Sequence, residues 1–160
     1  MATKVSPKSG TVTINENMVL KGESFRSSNT MAKTTVGQVS KRVMSIAAGS
    51  SVTEIANFST ADGKGTYIAD DFKYARITNL DDTNFILIVM REVNQESIVK
   101  LEAGQTYYLN NLKFYVDDDG GGTSNFTANP VADHTLKTFA SINAQASTAA
   151  VDIEVVIWTA

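Results

Sequence analysis

Short runs rich in Val, Ile, Thr, Tyr and Phe alternate apolar with polar side chains, residue by residue, and stop at clusters of Gly, Asn, Asp and Ser. A period of two sends successive side chains to opposite faces of an extended strand, whereas a helix needs apolar residues to recur near every 3.6 positions. The chain therefore reads as β almost throughout. Its two prolines, Pro7 and Pro130, fall in segments that resemble arms or loops, so neither interrupts a candidate strand.

Early candidate strands are 11–14, 18–20 and 34–36, followed by 39–47, where Val39, Lys41, Val43, Ser45 and Ala47 face opposite to Arg42, Met44 and Ile46. Residues 52–58 carry two signals. Ser51 with Glu54 imitates a capping box and Val52, Ile55 and Phe58 recur at helical spacing, but a strand is the preferred reading. Residues 74–79 and 85–93 flank the polar stretch Leu80-Asp81-Asp82-Thr83-Asn84 and are expected to pair as an antiparallel hairpin. Because Phe85, Leu87 and Val89 alternate with Ile86, Ile88 and Met90, both faces of the second strand are apolar, which suits a central strand between two layers.

A tight turn at Glu102-Ala103-Gly104-Gln105 joins 97–101 to 106–109, and 112–116 follows across Asn110-Asn111. The stretch 117–129, centred on Gly120-Gly121-Gly122, reads as an exposed loop. Strands at 135–142 and 151–158 close the chain; in the last, Val151, Ile153, Val155 and Ile157 alternate against Asp152, Glu154, Val156 and Trp158. About nine short strands with no long amphipathic helix define the expected class, an all-β, antiparallel β-sandwich that is jelly-roll-like. The absence of a repeating period argues against propellers and solenoids.

With 160 residues the chain suits a single domain, expected over 11–160 behind an N-terminal arm at 1–10 that carries Lys4 and Lys8 and nothing acidic before Glu16. A net charge of −3 offers no basic footprint for phosphate neutralisation, so nucleic acid is not an expected partner. No apolar run is long enough to predict a membrane-crossing helix, and the residues from Met1 to Pro7 lack the apolar centre of a signal peptide, so the expectation is an unexported protein without a membrane partner. There are no cysteines, which removes disulfide and thiolate chemistry.

No G-x-S-x-G elbow and no Walker loop occurs, and a single histidine, His134, cannot build a multi-histidine metal site; it reads as a loop or strand-end residue. Asp117-Asp118-Asp119-Gly120 has hard-ligand character but lacks the spaced ligands and closing Glu of an EF-hand, so a solvated acidic turn is preferred over a calcium site. Asp70-Asp71 and Asp81-Asp82 are read likewise. Asn57-Phe58-Ser59 and Asn125-Phe126-Thr127 match the glycosylation triplet and are assigned no role. Tyr107, Tyr108, Phe114 and Tyr115 at strand spacing are expected to pack across strands, with a carbohydrate-binding face as the competing reading. Trp158 is open between a subunit interface and a sheet-edge packing role. The expectation is no enzyme, no catalytic, cofactor-binding or metal-ligating residues, and no cofactor.

Two segments carry a resemblance: Ala75-Arg76-Ile77-Thr78-Asn79-Leu80-Asp81-Asp82-Thr83-Asn84-Phe85-Ile86 and Val99-Lys100-Leu101-Glu102-Ala103-Gly104-Gln105-Thr106-Tyr107-Tyr108-Leu109. A strand ending in Ile-Thr-Asn before a polar turn, with a later Leu-x-x-Gly-x-Thr turn, resembles small β-sandwich virion structural proteins of tailed bacteriophages. The two segments fall within 75–109, about a quarter of the chain, and the likeness concerns fold more than role. It implies a structural virion protein, assembled in the host cytoplasm, that decorates or cements the capsid. A tail or neck component and a carbohydrate- or receptor-binding module are the alternatives. The implied partners are the major capsid protein or other virion proteins, with the chain itself a homo-oligomer, a trimer by analogy.

Overall fold

Residues 6–49, 51–61, 63, 65–92, 95–117 and 134–160 are described by a computed structural model, with backbone alone at 114–117 and 134–137. In chain order the strands are β1 (Lys8–Leu20), β2 (Glu23–Val36), β3 (Gln38–Ile46), β4 (Thr53–Ser59) and β5 (Thr66–Ile68), then a 3-10 turn at Ala69–Asp71 and β6 (Phe72–Asn79). They continue with β7 (Ile86–Glu92), β8 (Gln95–Leu101), β9 (Thr106–Leu109), β10 (Lys113–Asp117), β11 (His134–Thr138), β12 (Ser141–Ala146) and β13 (Val151–Thr159). One sheet has the order β3-β13-β6-β9 and the other β5-β4-β12-β7-β8; β1-β2 and β10-β11 form two separate two-stranded ribbons.

The chain changes sheet at β3 to β4, β5 to β6, β6 to β7, β8 to β9 and β12 to β13, while β7 and β8 pair directly as a hairpin within one sheet. With the short parallel strand β5 set aside, two interleaved four-stranded sheets, β3-β13-β6-β9 and β4-β12-β7-β8, give the strand order of a jelly roll. The expected all-β, jelly-roll-like sandwich is the fold.

The core lies between the two sheets. Alternation along β13 works as its sequence requires: Val151, Ile153, Val155 and Ile157 are buried in the core cluster, and Asp152, Glu154, Val156 and Trp158 take the outer face. Ile46, Ile55, Ile77, Ile86, Ile88 and Ile142 complete a set of fully buried branched side chains. Each contributes roughly 1.5–3 kcal/mol through burial, and β-branching suits it to the pleated surface. Residues 52–58, with their competing helical signal, form β4, and both Ile55 and Phe58 face the core.

The expected hairpin, and the tight turn expected between 97–101 and 106–109, are instead arches. β6 and β7 lie in different sheets, as do β8 and β9, so neither 74–79 with 85–93 nor 97–101 with 106–109 is a paired unit. The connections 80–85 and 102–105 span the gap of about 10 Å between sheets rather than reversing the chain within one. A polar turn between two alternating strands has the same sequence signature in either geometry. The expected strand 135–142 is also two elements, β11 and β12, separated at Phe139, which is buried. The early fragments 11–14, 18–20 and 34–36 belong to the long strands β1 and β2, and residues 8–10, assigned to an arm, begin β1.

Candidate functional site

The feature with no role inside the sandwich is the β1–β2 hairpin. Its strands, thirteen and fourteen residues long, are joined by twelve register pairs from Lys8↔Val36 to Leu20↔Glu23. The reversal is made by Lys21 and Gly22 alone, with φ of 51° and 87°, and two positive values are what a two-residue type I′ turn demands. Near the base the register shifts by one residue on β2, where Thr35 stands at φ 57°. A β-branched residue in the left-handed region is strained, and a bulge there bends and twists the ribbon.

Directly paired residues share a face, which gives this ribbon two unlike sides. One carries Val12 with Met31, Ile14 with Asn29, Glu16 with Ser27, Met18 with Phe25 and Leu20 with Glu23. The other carries Thr11 with Ala32, Thr13 with Thr30, Asn15 with Ser28, Asn17 with Arg26 and Val19 with Ser24. Thr13 and Thr30 hydroxyls meet at 3.2 Å on this polar side. The apolar side is half-buried near the base at Gly10, Val12, Ile14 and Met31, but from residue 15 to residue 30 every side chain is exposed. Met18, Leu20 and Phe25 are each more than half exposed.

Two glycines seat the base of the hairpin. A Cβ on Gly10 would lie 2.4 Å from Cζ3 of Trp158, so only glycine lets β1 rest on the indole. A Cβ on Gly37 would lie 2.7 Å from the Ala160 carbonyl carbon, and the Gly37 N–H donates to the Thr159 carbonyl at 2.9 Å. Ser6, Lys8, Gly10, Val36, Val39 and Trp158 border a cleft of about 260 Å3 at this junction.

Trp158 is the end of a row of rings on the outer face of the four-stranded sheet. Tyr74, its cross-strand partner, lies 5.2 Å away between centroids, and Tyr108 lies 6.5 Å beyond Tyr74. Tyr74 is 3% exposed although it faces outward, and burial, with Tyr108 nearby, pushes its phenol pKa up against the opposing effect of Arg76. Beside the row, Glu154 accepts hydrogen bonds from Lys41, at 2.7 Å, and from Arg76. The bond from Lys41 first, and Arg76 after it, hold the Glu154 carboxyl below its ordinary value against a raising effect of burial. Val39 and Val43 flank Lys41 on the same outer face, each more than half exposed, and Tyr108 is 40% exposed at the other edge.

Trp158 thus serves as packing platform for the hairpin. Tyr107 turns inward against the core and Tyr108 outward, while the side chains of Phe114 and Tyr115 lie outside the described residues. His134 opens β11 opposite Asp117, a strand end as read from sequence. Asp118, Asp119 and the glycine run lie outside the described residues, as does the triplet at Asn125. Among the described residues no group of three or more His, Cys, Asp or Glu side chains is arranged to hold a metal ion, and no helix is long and apolar enough to cross a membrane.

The hairpin escaped sequence reading because Asn15, Glu16, Asn17, Ser27, Ser28 and Asn29 dilute its alternation, as befits a ribbon with no core beneath it. Its legible signal was Lys21-Gly22 between two alternating runs. Comparison with protein-family models, curated proteins and solved structures gives no match.

Proposed function

We propose that this protein is a structural subunit of a tailed-phage virion, decorating or cementing the capsid through protein-protein contacts, with a tail or neck position as the alternative within the same reading. The observation that carries the structural role is the hairpin: twelve register pairs project one apolar face, ending in Met18, Leu20 and Phe25, into solvent. An isolated two-stranded ribbon is marginal in water, and a one-sided apolar ribbon gains a third layer only from another surface. The virion assignment rests on the jelly-roll fold together with the sequence likeness of the 75–86 and 99–109 segments.

A carbohydrate-binding role would draw on the aromatic row. Tyr74 is buried and Trp158 carries the hairpin base, which leaves Tyr108 as the ring most open to a ligand.

The test is to fractionate a particle-containing lysate of cells that carry the encoding gene on a density gradient and follow the protein by immunoblot and immunogold labelling. Comigration with particles, with gold over the capsid shell, is expected; gold over the tail or neck selects the alternative. Protein confined to the soluble fraction overturns the virion role.

A further inference from the structure

We infer that two copies of this chain join edge to edge through β8, antiparallel about a two-fold axis at Ile98, so that their two β5-β4-β12-β7-β8 sheets become one continuous sheet. The contact needs no virion partner and stands on β8 alone. Its symmetry makes the unit a dimer, where the phage likeness implies a trimer. β8 is the last strand of its sheet: β7 pairs with it along one side, from Ile86↔Leu101 to Glu92↔Gln95, and among the described residues no strand pairs with the other side. Such an edge offers main-chain N–H and C=O groups to a further strand. Along β8, Val99 and Leu101 turn to the core, while Glu96, Ile98 and Lys100 turn outward, opposite Arg91, Val89 and Leu87 of β7.

The spacing of those outward residues selects a second β8 as the partner. Ile98 stands midway between an acid and a base. In an antiparallel pair centred on it, residue 96 of each strand faces residue 100 of the other, and residue 98 faces its own counterpart. Glu96 therefore meets Lys100 twice, once on each side of an Ile98–Ile98 contact, and a self-complementary patch of this kind is what an isologous dimer requires. Ile98 is 56% exposed, and no other large apolar side chain on the described strands of that sheet is so open. Its counterpart covers it, and Val89 of each copy, already buried, extends the apolar strip inward.

The charges along this edge balance in that register. Within one copy Glu96 accepts from Arg91 at 2.6 Å, Lys100 donates to Glu102 at 2.7 Å, and the Lys100 ammonium lies 4.2 Å from the Phe85 ring centroid. All four charged side chains are exposed; Glu96 keeps its second oxygen, and Lys100 its further N–H donors, for a partner. Joining Glu96 to Lys100 of the second copy builds two rows, Arg91–Glu96–Lys100–Glu102, in which the sign alternates and the sum is zero. Glu54, the other charged strand residue of that outer face among those described, lies three strands away on β4. The remaining edges of the sandwich lack this pattern. β3 carries Lys41 and Arg42 and no acid, so no register of β3 with itself sets unlike charges together. β5 and β9, three and four residues long, carry no charge.

The test uses the purified full chain in sedimentation velocity over a concentration series. The wild type is expected to reach a dimer, since a two-fold contact closes on itself. Glu96→Lys and Lys100→Glu, both at exposed positions, are each expected to keep the β-type circular dichroism spectrum. Each should weaken dimerisation by roughly tenfold or more, because it turns both cross-strand pairs into like-charge pairs. Mixed one to one, the two variants should pair with each other more tightly than either pairs with itself, because the mixed dimer again sets unlike charges opposite at both positions. A second measurement uses the absence of cysteine from the chain. Ile98→Cys places one thiol of each copy beside the axis, with Cβ atoms about 4.5–5.5 Å apart, so mild oxidation should link two copies covalently. Tyr108→Cys, exposed on the other sheet, should link far more slowly at the same concentration. A wild type that stays monomeric throughout the series, a mixture that dimerises no better than its parts, or thiols at 98 that link no faster than those at 108 would overturn the inference.

Discussion

Replacing Asn79 by alanine should destabilise the sandwich more than any other single polar substitution among the described residues. The side chain is fully buried at the end of β6, and its Nδ2 donates to the carbonyls of Asn84 at 2.9 Å, Leu101 at 3.2 Å and Glu102 at 3.1 Å. Its Oδ1 accepts from the Asp81 N–H at 3.0 Å, and its own backbone N–H donates to the Gln105 carbonyl at 2.9 Å. One amide therefore fastens the 80–85 arch to the 102–105 arch. In Asn79→Ala the Leu101 carbonyl loses a partner in a buried setting, at a cost of about 1–3 kcal/mol; because the two Nδ2 hydrogens serve three carbonyls, the Asn84 and Glu102 contacts together count as one bond, and that bond and the one from Asp81 cost about 0.5–1.5 kcal/mol each. The total is roughly 3–5 kcal/mol, which for a chain of this length lowers Tm by about 10–15 °C. Thermal and urea melts followed by circular dichroism read it directly. Asn79→Asp adds a sharper check: it keeps the acceptor for Asp81 but turns the donor into an oxygen facing three carbonyls, so at pH 7 it should be at least as unstable as Asn79→Ala. A Tm within 3 °C of wild type for Asn79→Ala, or a stable Asn79→Asp, would refute the argument.

Gly10→Val should force β1 off Trp158, and because Trp158 is the sole tryptophan, its emission should shift to longer wavelength while the far-ultraviolet spectrum of the sandwich persists. Thr35→Gly should relieve a left-handed strain of about 1–2 kcal/mol against a glycine entropy cost of about 0.5–1 kcal/mol, giving slower amide hydrogen exchange along β1 and β2. The depressed Glu154 carboxyl contributes stability that is present above its ordinary value of 4.5 and is lost as pH falls through the lower folded-state value. Glu154→Gln should therefore melt below wild type at pH 7, with the gap closing as pH drops below that window. Asp81, held down chiefly by the N–H of Asn84 and then of Thr83, adds to acid sensitivity in the same direction.

Strand positions were legible for most strands that border the core, although the short β5, whose Tyr67 packs against it, was not read. In β13 and β3 the alternation divided the residues between two faces as they stand, because burial on one side leaves a period of two in the sequence. Pairing was not legible. Segments 75–86 and 99–109 looked like a hairpin and a separate tight turn, but they are two arches held to each other by Asn79, a contact across more than twenty residues that no local pattern encodes. The hairpin was partly legible as fragments, since its exposed outer half, residues 15–30, has only Met18, Val19, Leu20 and Phe25 as large apolar side chains and so lacks the contrast that burial writes into a strand.

The two halves of this chain are stable for different reasons. In the sandwich, isoleucines and valines from both sheets meet in a shared core, and polar arches are held by buried side chains such as Asn79 and by Asx turns such as Asp81. The β1–β2 ribbon has neither. Its order rests on main-chain pairing, on the Lys21-Gly22 turn and on glycine seats at Gly10 and Gly37. Those devices aim the ribbon without giving its apolar face a counterpart. A chain that used the ribbon only for its own stability would fold that face onto its sheet, where Val39, Val43 and Tyr108 remain uncovered. The bulge at Thr35 instead sits where the ribbon leaves the body, and the strained residue at that bend fixes the direction in which the ribbon projects.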